Sequence, residues 1–195
     1  RNIGKEGVII SQQQRQIYEN GTEDIDQLRI LVMDFLISNG LPIKSAAGVC
    51  GNLEIESNFN PNAKNQDGIE DSRGIAQWNS RWGRWQRVEA YASELNEDPY
   101  DIFLQLKFLV YDMKTGGIHK CWNHLKEASN ITNFDGPKDD TNSTFHFFDV
   151  FEKADPLYYT HNGRSRPAAA RKAYDTYKAS LVLSAETNLI SSGAR

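Results

Sequence analysis

A chain of 195 residues with 39% hydrophobic and 25% charged side chains can bury one core, which excludes disordered and fibrous classes. Its net charge of -4, with scattered basic residues, excludes the basic field that nucleic acid or an anionic membrane surface requires. No apolar run reaches the roughly 20 residues of a membrane-spanning helix, and Arg1-Asn2-Ile3 carries neither an initiator Met nor a signal pattern, which reads as a piece of a longer polypeptide.

Residues 1–21 have weak periodicity and many Gln and Asn, and read as an N-terminal arm or linker. Thr22 opens a helix whose stripe is Ile25, Leu28, Leu31, Val32, Phe35 and Leu36, and Asn39-Gly40 stops it. Pro42 suits the first turn of a second helix, in which Ala46, Ala47, Gly48 and Gly51 permit close packing. Residues 57–80 are rich in Asn, Asp and Gly and read as loop, with a small β-hairpin allowed within 60–80. Helix returns over about 81–96, and again after Asp98-Pro99 up to Thr115-Gly116-Gly117. A shorter helix covers 118–128, a polar loop 129–143, and a helix 144–152. A last helix spans about 167–183, with Ala170, Ala173, Tyr174, Tyr177 and Leu181 on one side, and 184–195 read as a C-terminal tail. The fold class is therefore mainly α, with one domain over 22–183. Cys50 and Cys121 are too few for a disulfide framework and sit in apolar helical contexts, as buried core thiols or a single bridge.

The chemistry concentrates in Glu56-Ser57-Asn58-Phe59-Asn60-Pro61 and in Gly74-Ile75-Ala76-Gln77-Trp78. A carboxyl at the end of an apolar helix can be kept protonated by burial, and cleavage of a glycoside needs such an acid at the leaving oxygen. Glu54 and Glu56 point about 160° apart on a helix turning about 100° per residue, so only one can face a given cleft, and periodicity does not choose between them. Gln77 offers a donor and an acceptor to sugar N-acetyl and hydroxyl groups, and Trp78 offers a face to stack on sugar or a wall for the acid, or simply a core side chain. No histidine pair has compact metal-ligand spacing.

The order and spacing of these two segments resemble the Glu-Ser and Gly-Leu-x-Gln motifs of lytic transglycosylases and goose-type lysozymes. Phe147-Phe148-Asp149-Val150-Phe151-Glu152-Lys153, followed by Arg166-Pro167-Ala168-Ala169-Ala170-Arg171, resembles the closing part of the phage tail lysozyme family. The likeness covers about residues 25–180 and departs from many relatives in the polar 129–143 segment. The resemblance implies a lysozyme-like helical fold and cleavage of the MurNAc-GlcNAc β-1,4 bond of peptidoglycan. It implies Glu56 as general acid, with Ser57 orienting it and Asp67 or Asp71 positioning a water. Gln77, Trp78 and the groove candidate Tyr174 would hold the glycan. Neither metal nor cofactor is expected, since acid chemistry on a glycoside requires none. The expected partners are glycan strands and other phage tail or virion modules, with DNA entry as the setting. Hydrolase and transglycosylase products both stay open, as do a free endolysin and a non-catalytic tail module of the same fold.

Overall fold

Among the described residues, the helix Ile43–Ser57 packs against the first, sixth and last described helices, and its small residues are the reason. The computed structural model describes residues 24–161 and 163–193. Among these are seven α-helices: α1 Ile25–Ser38, α2 Ile43–Ser57, α3 Arg84–Leu95, α4 Ile102–Thr115, α5 Trp122–Lys126, α6 Ser143–His146 and α7 Arg166–Gly193. Every residue of α2 from Ser45 to Glu54 is buried. A Cβ added at Gly48 would collide with Ser143 Oγ and the Thr144 backbone, and one at Gly51 would stand 2.5 Å from the Ala170 nitrogen. Helices α6 and α7 thus lie on α2 at backbone distance. The mainly helical fold expected from the periodicity is the one observed. The N-terminal arm over 1–21, and Thr22 read as the opening of the first helix, lie outside the described residues.

Caps set most of the helix starts. Asp24, rather than a residue further upstream, caps α1 by accepting from Asp26 N at 2.9 Å. Pro42 stands at the N-cap of α2 in extended backbone, one position before the first turn where it was expected. α4 is capped by Asp101, which accepts from Phe103 N and Leu104 N at 2.8 and 3.0 Å, so Asp98-Pro99 belongs to the turn before it. The apolar stripes behave as their spacing demands. Leu31, Val32, Phe35 and Leu36 of α1 are buried, as are Trp85, Val88, Tyr91 and Ala92 of α3 and Ile102, Leu106, Leu109 and Met113 of α4. Cys50 and Cys121 are free thiols inside the core, and burial pushes both well up from the ordinary thiol value.

The hairpin allowed within 60–80 is a three-stranded antiparallel meander of β1 Lys64–Asn65, β2 Ser72–Arg73 and β3 Trp78–Asn79, in register Lys64 to Arg73 and Arg73 to Trp78. A second hairpin, β4 Thr160–His161 with β5 Arg164–Ser165, occupies a stretch read only as a polar turn. The helix expected over 144–152 changes pitch. After α6 the chain continues as a π-helical segment, Phe147–Glu152, closed by Lys153 at φ 50°. α7 continues through 184–193, the stretch read as a tail, with its side chains there exposed. Among the described residues no helix is long and apolar enough to cross a membrane.

Candidate active site

Two consecutive left-handed residues end α2: Asn58 at φ 50° and Phe59 at φ 60°. An L residue adopts this region at a cost, and here burial of the Phe59 ring (1% exposed) offsets it. The sharp turn throws the chain across the helix end toward the meander. Ser57 Oγ donates to the Ile75 carbonyl at 2.8 Å, so the two motifs that stand 18 residues apart are joined directly. Gly74 has φ 77°, and a Cβ there would stand 2.7 Å from Gln105 Oε1. That close approach lets Gln105 accept from Ile75 N at 2.9 Å while its amide donates to Pro61 and Pro99 carbonyls at 2.9 Å each. Gln105 is fully buried on α4, so one side chain fastens both motif loops to the core.

The two acidic candidates at the end of α2 have opposite fates. Glu54 is received by Arg29 of α1 through two bonds of 3.0 and 2.5 Å, a buried structural pair. Glu56 points the other way. Its side chain is 16% exposed, and its Oε1 accepts from Arg166 at 2.6 Å. Arg166 opens α7 and is itself 3% exposed. Its remaining donors go to Asn52 Oδ1 at 3.0 Å and the Tyr158 carbonyl at 3.1 Å, and its guanidinium lies 4.8 Å from the Phe148 ring centroid. The Arg166 fork therefore fixes Glu56 on one side and leaves an edge of the carboxyl to solvent.

Glu152 is the half-buried last residue of the π-helical segment. Its Oε1 is buried without a hydrogen-bond partner. Burial first, and then the negative charge of Glu56, push its carboxyl well above the usual range, while Arg166 and Arg84 pull the other way. Asp112 on α4 completes the buried polar layer. It is fully buried, pairs with Arg84 at 3.4 Å and with Arg87, and accepts from Trp78 Nε1 at 3.3 Å.

The remaining predicted site residues fall elsewhere. Trp78 is fully buried, with its ring 5.4 Å from Phe108 in an edge contact, so it offers no face to a sugar. Gln77, half-buried at φ 51°, uses Nε2 to hold its own turn by donating to the Gly74 carbonyl at 2.9 Å. Asp67 is an exposed loop residue. Asp71 is bound by Arg73 at 3.1 and 3.3 Å, and these bonds hold its carboxyl below the usual range. Tyr174 packs on Phe134 at 4.9 Å and under Arg171, which makes it a prop for the 129–143 loop rather than a lining residue. A surface pocket lined by Cys121, Trp122, His124, His146 and Val150 includes none of the predicted site residues.

Gln105, Asp112, Arg166 and Glu152 are the polar residues of the site to which the motif spacing assigned no role. Gln105 and Asp112 interrupt the apolar stripe of α4, and a polar residue on such a stripe is the signal that could have found them. Arg166 and Glu152 stand in the two segments that resemble the closing part of phage tail lysozymes, but that resemblance gave them no role, and only the fold brings Arg166 to Glu56. Among curated proteins, none matches the chain significantly. The sequence model of phage tail lysozymes does match, over residues 29–177, a span that includes both motif loops, Glu152 and Arg166. With most of its length covered by that match, the chain belongs to the phage tail lysozyme family.

Proposed function

We propose that this protein is a peptidoglycan glycosidase that cleaves the β-1,4 bond between N-acetylmuramic acid and N-acetylglucosamine, with Glu56 as the proton donor. The observation that carries the reading is Glu56 itself: a carboxyl at the end of a buried helix, 16% exposed, oriented by a buried arginine. Glu54, by contrast, is wholly taken up by its buried pair with Arg29 and presents no acid to a cleft. Family membership supports the substrate class.

In this reading Glu56 gives its proton to the glycosidic oxygen as the bond to the muramic C1 breaks. The carboxylate formed is received by Arg166. The positive charge that develops on the sugar ring is met by water, giving a reducing muramic end, or by the muramic 6-hydroxyl, giving a 1,6-anhydro end. Asp71, kept ionised by Arg73, and Asp67 are the loop carboxylates that could direct a water. Ser57 and Gln77 act by shaping the loops, and in this reading Gln77 also offers its amide oxygen to a sugar N–H. The protein would work as one module of a phage tail or virion, opening the wall locally during DNA entry.

Turbidity loss of purified cell walls tests this. Glu56→Gln keeps the shape and removes the proton, and the rate should fall by about 10²–10⁴, the usual contribution of a general acid. Equal clearing by both proteins would remove Glu56 from the mechanism, and clearing by neither would favour a tail module without activity. Mass spectrometry of released muropeptides then distinguishes the reducing end from the anhydro end.

A further inference from the structure

The pocket between the end of α4, α5, α6 and the π-helical segment has no part in the proposed cleavage, and its volume is about 310 Å³. Cavities of a few hundred Å³ are the size that small ligands fill. Trp122 and Val150 give it apolar walls, and His124 and His146 bring two imidazole rings to it. These rings are stacked with centroids 3.9 Å apart, and both are tethered to Asp140. His146 Nδ1 meets the Asp140 carboxylate at 3.0 Å, and His124 Nε2 meets the Asp140 carbonyl at 2.7 Å. Both partners accept, so each of those nitrogens carries the hydrogen and the other nitrogen of each ring is a bare acceptor. His146 is 7% exposed, and its Nε2, on the ring edge turned away from that carboxylate, is buried with no hydrogen-bond partner among the described residues. A buried acceptor of this kind calls for a donor. Burial also holds His146 below the ordinary histidine value, which keeps the ring neutral and that nitrogen bare. Lys114 and Lys120 line the same pocket, and the Lys114 ammonium stands 4.8 Å from the Trp122 ring centroid. Among the described residues neither ammonium is paired with a carboxylate. Burial, and then the charge of Lys126, lower Lys114, so an anion arriving there meets a partly desolvated cation.

A buried acceptor, apolar walls and two cations define the ligand. A metal ion would need a cluster of His, Cys, Asp or Glu, and none of three or more occurs among the described residues. A neutral sugar hydroxyl would satisfy His146 and leave the lysines without a counter-charge. An inorganic anion would satisfy the lysines and leave Nε2 without a donor. A peptide that ends in a free carboxylate supplies both, because its last N–H and its carboxylate are held on one α-carbon. We propose that this pocket binds the free carboxyl end of a short peptide, with the carboxylate received by Lys114 and Lys120, the last N–H given to His146 Nε2 and a small side chain against Trp122 and Val150. The inference deepens the peptidoglycan reading and rests on it for the identity of the peptide: the wall glycan carries peptides on its muramic lactyl groups, and those that are not cross-linked end in a carboxylate. The pocket takes no part in proton transfer. It holds a wall peptide and so favours glycan that carries peptides over bare glycan.

The test is an NMR titration of the ¹⁵N-labelled chain with N-acetyl-D-alanyl-D-alanine, with its C-terminal amide and plain acetate as comparison probes. The dipeptide should shift the amide signals of Lys114, Cys121, His124 and His146. The amide probe lacks the charge and acetate lacks the N–H, so each should bind about tenfold more weakly. Lys114→Met and His146→Phe should each weaken the dipeptide by about tenfold as well. The partly exposed Lys114 keeps the test open should His146→Phe fold poorly. No shift at the pocket up to tens of millimolar dipeptide, or affinity for either comparison probe equal to that for the dipeptide, overturns the proposal. Clearing assays add a second readout, on intact walls and on glycan stripped of its peptides by an amidase. Lys114→Met should lose rate on intact walls and match the wild type on bare glycan, and an equal loss on both overturns the proposal. If Glu56→Gln clears walls as fast as the wild type, the Glu56 reading fails, while dipeptide binding measured in that same variant still supports or overturns the pocket by the same criteria.

Discussion

Glu56 and Arg166 meet at 2.6 Å although 110 residues separate them in the chain. Glu56 lies in the last turn of α2 and Arg166 begins α7, so this pairing is made where two helix termini cross. The crossing is possible because Gly51 allows the α7 backbone to rest on α2.

Arg166→Lys should leave a cation beside Glu56 and remove the planar fork that also binds Asn52 and Tyr158. A lysine cannot reproduce that geometry. Wall-clearing kcat is expected to fall about tenfold or more, with a modest loss of melting temperature. Arg166→Ala should cost about 2–4 kcal/mol in denaturant unfolding, since it leaves a largely buried carboxylate without its partner.

Gln105→Leu should weaken both motif loops together. The substitution is close in volume, but it orphans the buried Ile75 N–H and the Pro61 and Pro99 carbonyls. Each unsatisfied buried group costs about 1–3 kcal/mol. Chemical denaturation should show a loss of about 2–4 kcal/mol, and amide exchange should rise first at Ala63 and Ile75 rather than in α1.

Gly48→Ala tests the close packing of α2. The new methyl meets the Ser143–Thr144 backbone, which cannot rotate away as a side-chain end would. Overpacking of this kind costs about 1–3 kcal/mol. Gly68→Ala, where a Cβ meets open space, is a control for loop substitution, although its φ of 60° carries its own strain. An unchanged melting curve for Gly48→Ala would contradict the packing.

Acidification should destabilise the fold through the buried His146 and the half-buried His119. Burial lowers His146, with the charge of neighbouring His124 adding to it, and burial together with Arg84 lowers His119. A histidine held below its unfolded value contributes stability that is present above about pH 6.5 and lost as pH falls through the folded value. Glu152 has the opposite sign. Its raised carboxyl contributes stability at low pH that is lost as pH rises through its folded value. Melting temperature followed from pH 8 to 5 should therefore fall less steeply in His146→Phe, which keeps the stack on His124 and cannot take a proton, and the slopes of the two variants Glu152→Gln and His146→Phe should deviate from wild type in opposite directions.

What the sequence by itself determined was the helical class, the core-facing stripes and the position of an acid before Ser57. Each of these depends on local spacing: 3.6 residues per turn places Leu31, Phe35 and their neighbours on one face whatever they pack against. Motif spacing also located the loops that frame the site. It did not assign the work within them. Trp78 became a core residue and Gln77 a turn clamp because the meander folds inward onto α4, where Gln105 and Asp112 wait with buried polar atoms. Periodicity left Glu54 and Glu56 open and the resemblance named Glu56, while the partner that each carboxyl meets is a tertiary fact. A helix wheel separates the two carboxyls but cannot say which side will meet Arg29 and which Arg166. The environment of a carboxyl is made by groups distant in the chain, and long-range packing alone brings Arg166 to the end of α2.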